Sequence, residues 1–390
     1  MATKKQANAA LVKAVRAGDV SAVEDALRAG ADPNVHTGYA SALSDAANYR
    51  ADPVVARAMT RALLDAGADP NARHSAQWDD RPIFYIAGYG DAEVVRLLWE
   101  RGGVPRAHDG SFARNSDGET LLAPAAQGGH LWLVDACLAA GMRADDVDIH
   151  GSTPLHYAMQ KTLAGAARAG KDCAALATRL LAHGAPLEHH RRGDWGTALH
   201  WAAEYGDADG VRCLLAHGAD REAATVPAQK RPLHAAAARG PVACAWALLD
   251  AGASVHATTL RGETALHLAA ARTRFPELDS DGLLEALVAA GADLRARDAD
   301  GWTPLGRALS GLYTPRVAVT LRPTQRALLA ALVALEGPCD DVGSWGATLA
   351  HVAARCDDAA PLRAALAKGA APDPRDADGY TPLHRAAMSG

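Results

Sequence analysis

The sequence predicts an all-α repeat protein, a solenoid of stacked helix pairs, from three observations. A glycine that can end a helix recurs ten times along the chain. A helix-start signal precedes each of these glycines, most clearly as Thr-Pro-Leu-His at residues 153–156 and 381–384. In six units the start and the glycine are 21 residues apart, which gives a full period of about 33 residues. Because this pattern occupies nearly the whole chain, it leaves no segment large enough for a second fold.

The predicted units can be counted from their starts and their glycines. The starts are Ala9, Ser41, Arg81, Thr120, Thr153, Thr197, Arg231, Thr264, Thr303, Thr348 and Thr381. The glycines are Gly30, Gly67, Gly102, Gly141, Gly184, Gly218, Gly252, Gly291, Gly337 and Gly369. The count predicts one domain over residues 1–390, with ten full repeats and a C-terminal half repeat.

Each element of a unit has a local chemical reason. Thr153 can cap a helix by accepting a backbone N–H, and Pro154 suits the first helical position, where no donor is needed. After a turn, Val211 and Leu214 have the apolar spacing of a second helix. Gly218 can adopt the left-handed conformation that ends that helix. Such a short pair cannot bury its own apolar side, so its stability must come from stacking on its neighbours.

Five segments exceed the period and are predicted to be insertions. They lie near residues 48–54, 106–116, 160–173, 272–282 and 310–325. The four that separate the two helices of a pair are expected to emerge at the edge away from the turns. The segment 106–116 lengthens one turn, and its Arg106, Phe112 and Arg114 are candidate partner-binding residues. Loops on one face of a repeat array are often where binding occurs.

These motifs give the chain a close resemblance to ankyrin-repeat proteins. The resemblance is carried by the runs at 150–156, 300–305 and 379–384, and by Leu-Leu-Ala-His-Gly-Ala-Asp ending at Asp220. It implies antiparallel helix pairs joined by projecting β-turn fingers and stacked into a curved array. The first helices and the fingers would then form the concave side. A fold-level resemblance of this kind does not imply one particular function.

Composition narrows the classes of function. The formal net charge is −5 and the pI is near 6.3, so no nucleic-acid footprint is expected. No run approaches the roughly 18 apolar residues of a membrane span, and the first residues lack the apolar core of a signal peptide. The six cysteines fall in different repeats and are expected to be reduced thiols of the cytoplasm, or of a host cell if the protein is delivered there. Abundant alanine and the excess of arginine over lysine favour a bacterial source.

The sixteen histidines raise the question of a metal site. Six of them share one repeat position: His156, His200, His234, His267, His351 and His384. The resemblance implies that this histidine bonds to the backbone of the adjoining turns, which explains its recurrence without a ligand role. The chain contains no Cys-x-x-Cys, HExxH, Gly-x-Ser-x-Gly or phosphate-loop motif. We therefore predict no cofactor, no metal and no catalytic residue.

Aromatic residues are the best candidates for contacting a partner. Tyr49, Tyr89 and Tyr205 lie eight residues after their helix starts, where the resemblance places the concave side, and Glu204 adjoins Tyr205. The predicted fingers contribute Trp195, Trp302, Trp345 and Tyr380. Tryptophan and tyrosine combine a large rigid surface with a polar group, which suits interface anchors. By contrast, the second-helix residues Trp99, Trp132 and Trp246 are predicted to lie in the core.

The sequence therefore predicts a non-catalytic scaffold that binds a protein partner on the concave side, without nucleic acid or membrane insertion. Two narrower alternatives are a neutralising inhibitor or immunity-type protein, and a bacterial effector acting on host proteins. An enzyme with a site in the insertions is a third alternative, and its candidate residues are His108, Asp109, His189, His190 and Asp194. Self-association is a further possibility, because the half repeat would expose Leu383, Ala387 and Met388.

Overall fold

The structure is a computed structural model of the chain. It describes residues 3–38, 40–72, 81–103, 106–107, 109–160, 171–192, 196–274, 282–312, 346–354 and 360–389. The chain divides into two compact units, Met1–Arg192 and Gly193–Gly390. Within the described ranges both units are helical, and isolated β-bridges join residues of the fingers, as between His36 and Ser41 and between Arg106 and Phe112. None of the helices in these ranges is long and apolar enough to cross a membrane.

Unit 1 contains ten helices among its described residues, which follow one another as first and second helices of successive pairs. They are α1 (Lys4–Ala17), α2 (Val20–Arg28), α3 (Ala42–Ala47), α4 (Pro53–Asp65), α5 (Pro82–Tyr89), α6 (Ala92–Glu100), α7 (Leu122–Gly128), α8 (Leu131–Ala139), α9 (Pro154–Ala158) and α10 (Cys173–Ala182). Odd-numbered helices are first helices and even-numbered helices are second helices.

Unit 2 repeats the same arrangement. Its described helices are α11 (Ala198–Tyr205), α12 (Ala208–Ala216), α13 (Pro232–Arg239), α14 (Val242–Asp250), α15 (Ala265–Ala270), α16 (Leu283–Ala289), α17 (Pro304–Leu312), α18 (Leu349–Ala353), α19 (Ala360–Ala367) and α20 (Pro382–Ser389). A short 3-10 helix, Ala271–Arg274, extends α15. Here α18 and α20 are first helices and α19 is a second helix.

The helix starts follow from capping chemistry. Many first helices begin just after a Thr, Ser or Arg that lies outside the helix in extended conformation, for example Thr197 before α11. Several second helices begin after an aspartate, and the Asp207 carboxylate accepts the N–H of Gly210 at 2.8 Å. Such caps stabilise a helix by about 1 kcal/mol each. The first helix is an exception to the predicted spacing. It begins at Lys4 rather than at Ala9, because Thr3 and Gln6 form a capping box.

Nearly all of the predicted helix-ending glycines lie in the described residues. Nine of them have φ between 79° and 95°, while Gly337 lies outside the described residues. This left-handed conformation suits glycine because a Cβ atom would be strained there. Each glycine allows the chain to leave the second helix and run towards the next finger.

Successive pairs pack first helix on first helix and second helix on second helix. In unit 1, α5 contacts α7 and α7 contacts α9, and in unit 2, α11 contacts α13 and α12 contacts α14. The contacting faces are rich in alanine, and Ala202, Ala236 and Ala269 are fully buried. Alanine leaves little side-chain volume between helix axes, so these short helices can pack closely.

The fingers join through backbone hydrogen bonds between neighbouring repeats. In unit 1, the Ile149 N–H donates to Asp117 O at 2.9 Å. In unit 2, Leu260 N–H donates to Ala228 O at 2.9 Å. These bonds fix each finger against the next one.

Two of the predicted insertions are anchored by a buried cation at a helix end. The Lys171 ammonium donates to the carbonyls of Gln127, Tyr157 and Gln160 at 2.8–3.1 Å. Arg272 donates to Ala237 O at 2.8 Å, at the end of α13. A cation is favourable at a helix C-terminus because unpaired carbonyls gather there. The remainder of these insertions, residues 161–170 and 275–281, lies outside the described residues.

Candidate functional site

The candidate site is the surface formed by the C-terminal halves of the first helices and the adjoining finger bases, which we call the first-helix face. Each unit has a cleft on this face. The cleft of unit 2 lies between α11 and α13, and the cleft of unit 1 lies between α3 and α5. Both clefts contain tyrosine from a first helix, the residue type that the sequence predicts there.

The unit 2 cleft has a volume of about 280 Å³. One wall is Glu204 and Tyr205 at the end of α11, and the other is the finger residue Lys230. Ala235 and Ala238 of α13 lie at its floor. The Tyr205 ring is held edge to face against Trp201, with centroids 6.1 Å apart, which fixes its orientation.

This cleft exists because α13 carries small residues where α11 carries large ones. The helices read Ala-Leu-His-Trp-Ala-Ala-Glu-Tyr over α11 and Pro-Leu-His-Ala-Ala-Ala-Ala-Arg over α13. Ala235 and Ala238 therefore occupy the repeat positions of Trp201 and Glu204. The volume that a tryptophan and a glutamate side chain would fill on α13 is left open.

Among the described residues, the rim of the unit 2 cleft carries two cations and one carboxylate. Lys230 and Arg239 are exposed, and Glu204 on the opposite wall is half-buried. No carboxylate among the described residues forms an ion pair with the Lys230 ammonium. His234 adds no charge at neutral pH, because burial lowers its pKa to about 4.

The unit 1 cleft, of about 260 Å³, has an aromatic rim. Tyr85 of α5 lines it, and Tyr89 lies one turn further along the same helix, with the ring centroids 5.6 Å apart. The side chains are 41% and 48% exposed. Arg50 hydrogen-bonds to the Tyr85 hydroxyl, and its guanidinium lies 5.8 Å from the ring centroid. Tyr85 is absent from the sequence-based candidates, although its spacing of four from Tyr89 puts both on one helix face.

Tyr49, the other predicted first-helix tyrosine, packs against the preceding helix pair. Tyr49 is half-buried and its hydroxyl donates to Ala17 O at 3.4 Å. Its ring lies directly over Gly18, where a Cβ atom would come within 2.2 Å of the Tyr49 hydroxyl. Tyr49 thus fills the space above a glycine of the preceding pair.

The predicted finger aromatics are partly covered by arginine. The Arg307 guanidinium lies 4.7 Å from the Trp302 ring centroid, and that of Arg385 lies 4.6 Å from the Tyr380 ring centroid. Both are cation–π distances. Trp195 and Trp345 lie outside the described residues.

The long finger at 106–116 is stabilised by its own arginines. The Arg106 guanidinium lies 4.3 Å from the Phe112 ring centroid and donates to Gly110 O at 2.8 Å. Arg114 donates to Val147 O at 3.2 Å and pairs with Asp146 at 3.1 Å. Arg106 and Phe112 thus stabilise the finger itself, whereas Arg114 joins it to the next finger. Both arginines remain exposed to solvent.

The prediction of a core position for the second-helix tryptophans is wrong. Trp246 is 48% exposed, and Trp99 and Trp132 are half-buried. The apolar stripe of a short second helix is narrow, so a large ring at its edge extends into solvent. The Arg96 guanidinium covers the Trp132 ring at 5.1 Å.

The recurring histidines connect each first helix to the next finger. The backbone N–H of Thr197 donates to His200 Nδ1 at 3.1 Å, so Nε2 carries the proton and donates to Lys230 O at 3.0 Å. His234, His267 and His351 make the same pair of bonds. Both ring nitrogens are occupied, which explains the recurrence of the residue as part of the fold.

The residues considered for an enzyme do not form a shared centre in the described structure. Asp109 accepts from Ser111, and His189 Nε2 lies 3.0 Å from Gly151 O. His108 and Asp194 lie outside the described residues. Among the residues that are described, no three His, Cys, Asp or Glu side chains are grouped so that they could hold a metal ion.

Buried carboxylates at the finger bases have different partners in the two units. In unit 1, the Tyr157 hydroxyl donates to Asp148 at 2.7 Å, and burial raises the pKa of Glu119. In unit 2, the equivalent position is Arg307, which pairs with Asp298 and with Asp300 at 2.9 Å. These clusters fix the fingers that flank the first-helix face.

Comparison with known proteins supports the repeat type over part of the chain. The family described as "Ankyrin repeats (3 copies)" matches residues 163–259 and 233–315. These matches support the repeat type, while the count of ten stays a prediction. A solved structure, that of the ankyrin repeat domain of Bcl-3, is 29% identical and covers 58% of this chain and 92% of that one, with a TM-score of 0.41.

Curated relatives match over part of their length. The B-cell lymphoma 3 protein homolog of Mus musculus is 30% identical over 44% of this chain and 36% of that protein. The probable E3 ubiquitin-protein ligase XBOS32 of Oryza sativa is 31% identical, over 57% and 42%. The human ankyrin repeat and SOCS box protein 6 is 34% identical, over 32% and 30%. This chain thus spans less than half of each relative. Since these relatives are mammalian and plant proteins, the predicted bacterial source has no support.

Proposed function

We propose that this chain is a non-catalytic scaffold that binds a protein partner on its first-helix face, as the match of residues 163–315 to ankyrin repeats supports. The observation that carries the proposal is the pair of clefts, one in each unit, each of which lies between two successive first helices. Each cleft presents accessible tyrosine from a first helix beside a charged residue.

Tyrosine suits this role because it brings a large apolar area and a hydroxyl with few rotatable bonds. A standard interface buries about 800 Å² on each partner. Such an area exceeds either cleft, so we propose that each cleft receives one anchor of a larger contact. The ligase activity in the name of the rice relative belongs to that protein, and we propose only partner binding for this chain.

Two single substitutions and a matched control test this proposal. Tyr205→Ala and Tyr89→Ala should each lower the affinity for the partner by about tenfold or more, which is the loss expected for interface anchors. The control is Trp246→Ala, because Trp246 is as exposed as Tyr89 but lies on a second helix. Affinity purification with each tagged variant, followed by mass spectrometry, would compare the retained partner.

The result expected is that the native chain and Trp246→Ala retain the same protein and the tyrosine variants lose it. Circular dichroism should show unchanged helicity in all four chains. Full retention by both tyrosine variants would contradict binding on the first-helix face. Loss in the Trp246→Ala variant alone would instead assign binding to the second-helix side.

A further inference from the structure

The unit 2 cleft has a size and a charge that select one kind of ligand. Its volume of about 280 Å³ lies just below the roughly 300–1,000 Å³ of clefts that enclose whole small molecules. A single large side chain, supplied by an extended segment of a partner, is the ligand that matches this volume. The floor of Ala235 and Ala238 is apolar, which favours burial of an apolar side chain.

An aromatic side chain also has a suitable neighbour in the cleft. The Tyr205 ring is held by Trp201 at the wall, with an interplanar angle of 72°, and it is half-exposed towards the cleft. An incoming ring could pack against it in an offset or edge-to-face geometry, which is worth about 0.5–1.5 kcal/mol beyond burial.

The charges at the rim favour particular residues next to that aromatic side chain in the partner segment. Lys230 at the finger base and Arg239 at the end of α13 lie on the rim, and Glu204 is the one carboxylate among the described residues that line the cleft. A partner carboxylate beside the buried ring would meet an exposed ammonium. A partner cation at the same place would face the like charge of Lys230.

We propose that the unit 2 cleft binds an extended segment of a partner protein in which an aromatic residue adjoins an aspartate or a glutamate. The aromatic ring enters the cleft over Ala235 and Ala238, against Tyr205, and the carboxylate pairs with Lys230. This inference rests on the proposed function and adds the chemistry of the partner.

The test uses a phage-displayed library of random linear peptides selected on the full chain. Selected peptides are expected to carry an aromatic residue next to Asp or Glu. Their affinity should fall about tenfold or more for Ala238→Trp, which fills the cleft, and for Tyr205→Ala. A larger side chain is compatible with this position, since Glu204 occupies it in the preceding repeat.

A charge reversal makes the test specific. Selection on the Lys230→Glu variant should replace the acidic neighbours of the aromatic residue by Lys or Arg, while Trp246→Ala should select the same peptides as the native chain. Peptides without an acidic preference, peptides indifferent to Lys230→Glu, or no peptide that needs the cleft would each overturn the inference.

The outcome also separates this inference from the proposed function. If the Tyr205→Ala variant no longer binds the protein partner while the selected peptides show no acidic preference, only the chemistry assigned to the cleft is wrong. If neither the partner nor any peptide depends on the first-helix face, the proposed function fails as well.

Discussion

One repeat of unit 1 and one repeat of unit 2 differ in the fifth residue counted from the threonine of Thr-Pro-Leu. This difference changes how buried acids are stabilised. In unit 1 this residue is Tyr157, and in unit 2 it is Arg307. The Tyr157 hydroxyl donates one hydrogen bond to Asp148 at 2.7 Å. No lysine or arginine among the described residues pairs with Asp148 or Glu119. Arg307 instead supplies a full positive charge to Asp298 and Asp300, with Glu263 at 3.6 Å.

The consequence is seen in the pKa of Glu119. Burial raises this pKa, and the hydrogen bonds that Glu119 shares with Tyr157 and Asn115 only partly offset the rise. The comparison teaches that one side chain decides whether the buried acids at a finger base have a cation beside them. The backbone bonds of the finger are the same in both units, as Asp148 N–H to Ser152 O and Asp298 N–H to Trp302 O are each 3.0 Å.

The largest expected effect is that of removing the cation from unit 2. Arg307→Met leaves the fully buried Asp298 carboxylate without its charge partner, and breaking such a pair costs about 3–5 kcal/mol. Urea unfolding should show this loss, and hydrogen exchange should locate it in α15 and α17. Arg212→Met is the control, because the exposed Arg212–Asp209 pair contributes little. A loss below about 1 kcal/mol would show that Arg307 is not needed for the network.

Acid should weaken unit 2 through His234. Burial lowers the pKa of His234 from 6.5 to about 4, so the unfolded chain binds a proton at a higher pH than the folded chain. Stability from this group is present above pH 6.5 and is lost as the pH falls through about 4, by about 3 kcal/mol. Hydrogen exchange of α13 against pH measures it. The exposed His217→Gln variant should leave the pH profile unchanged, and a flat profile in the native chain would contradict the prediction.

Removing the tyrosine hydroxyl should weaken unit 1 to a smaller degree. Tyr157→Phe deletes the donor to Asp148, and a hydrogen bond to a charged group is worth about 1.5–3 kcal/mol. Chemical denaturation at neutral pH would measure the change. Tyr89→Phe is the matched control, since the Tyr89 side chain is 48% exposed. Equal effects of the two substitutions would argue against a special role for the Tyr157 hydroxyl.

The smallest effect is expected from Glu119→Gln. This substitution should raise stability at neutral pH, whereas replacing a carboxylate of a salt bridge lowers it. Because the pKa of Glu119 is raised by burial, its contribution to stability is favourable below the ordinary pKa of about 4.3 and is lost as the pH rises through the folded value. The variant should therefore be more stable than the native chain at pH 7 and equal to it in acid. Unfolding curves at the two pH values test this, and destabilisation at pH 7 would refute it.

The local features of the fold could be predicted from the sequence because their causes are local. The N-cap at Thr197, the histidine at His200 and the left-handed Gly218 act within a few residues of their own positions. Their recurrence makes the helix pairs visible in the sequence. The face that carries the candidate site also follows from register, since Tyr89 and Tyr205 end their first helices.

The exposure of individual side chains could not be predicted in this way. Tyr49 and Tyr205 share a register, yet Tyr49 covers Gly18 of the preceding pair and Tyr205 borders an open cleft. The finger residue Trp302 is covered by Arg307, and Trp246, predicted to be core, is exposed. For the two tyrosines the outcome depends on the size of residues in a neighbouring repeat, and for Trp302 it depends on an arginine of the helix that follows.

By itself, then, the sequence determined the repeat type, the positions of the caps and the side of each first helix on which the candidate site lies. The tertiary structure alone decided which of those positions remain open. The unit 2 cleft shows the physical reason. It forms because Ala235 and Ala238 are packed beside Trp201, Glu204 and Tyr205 of the preceding repeat, and a missing volume exists only between elements that have come together.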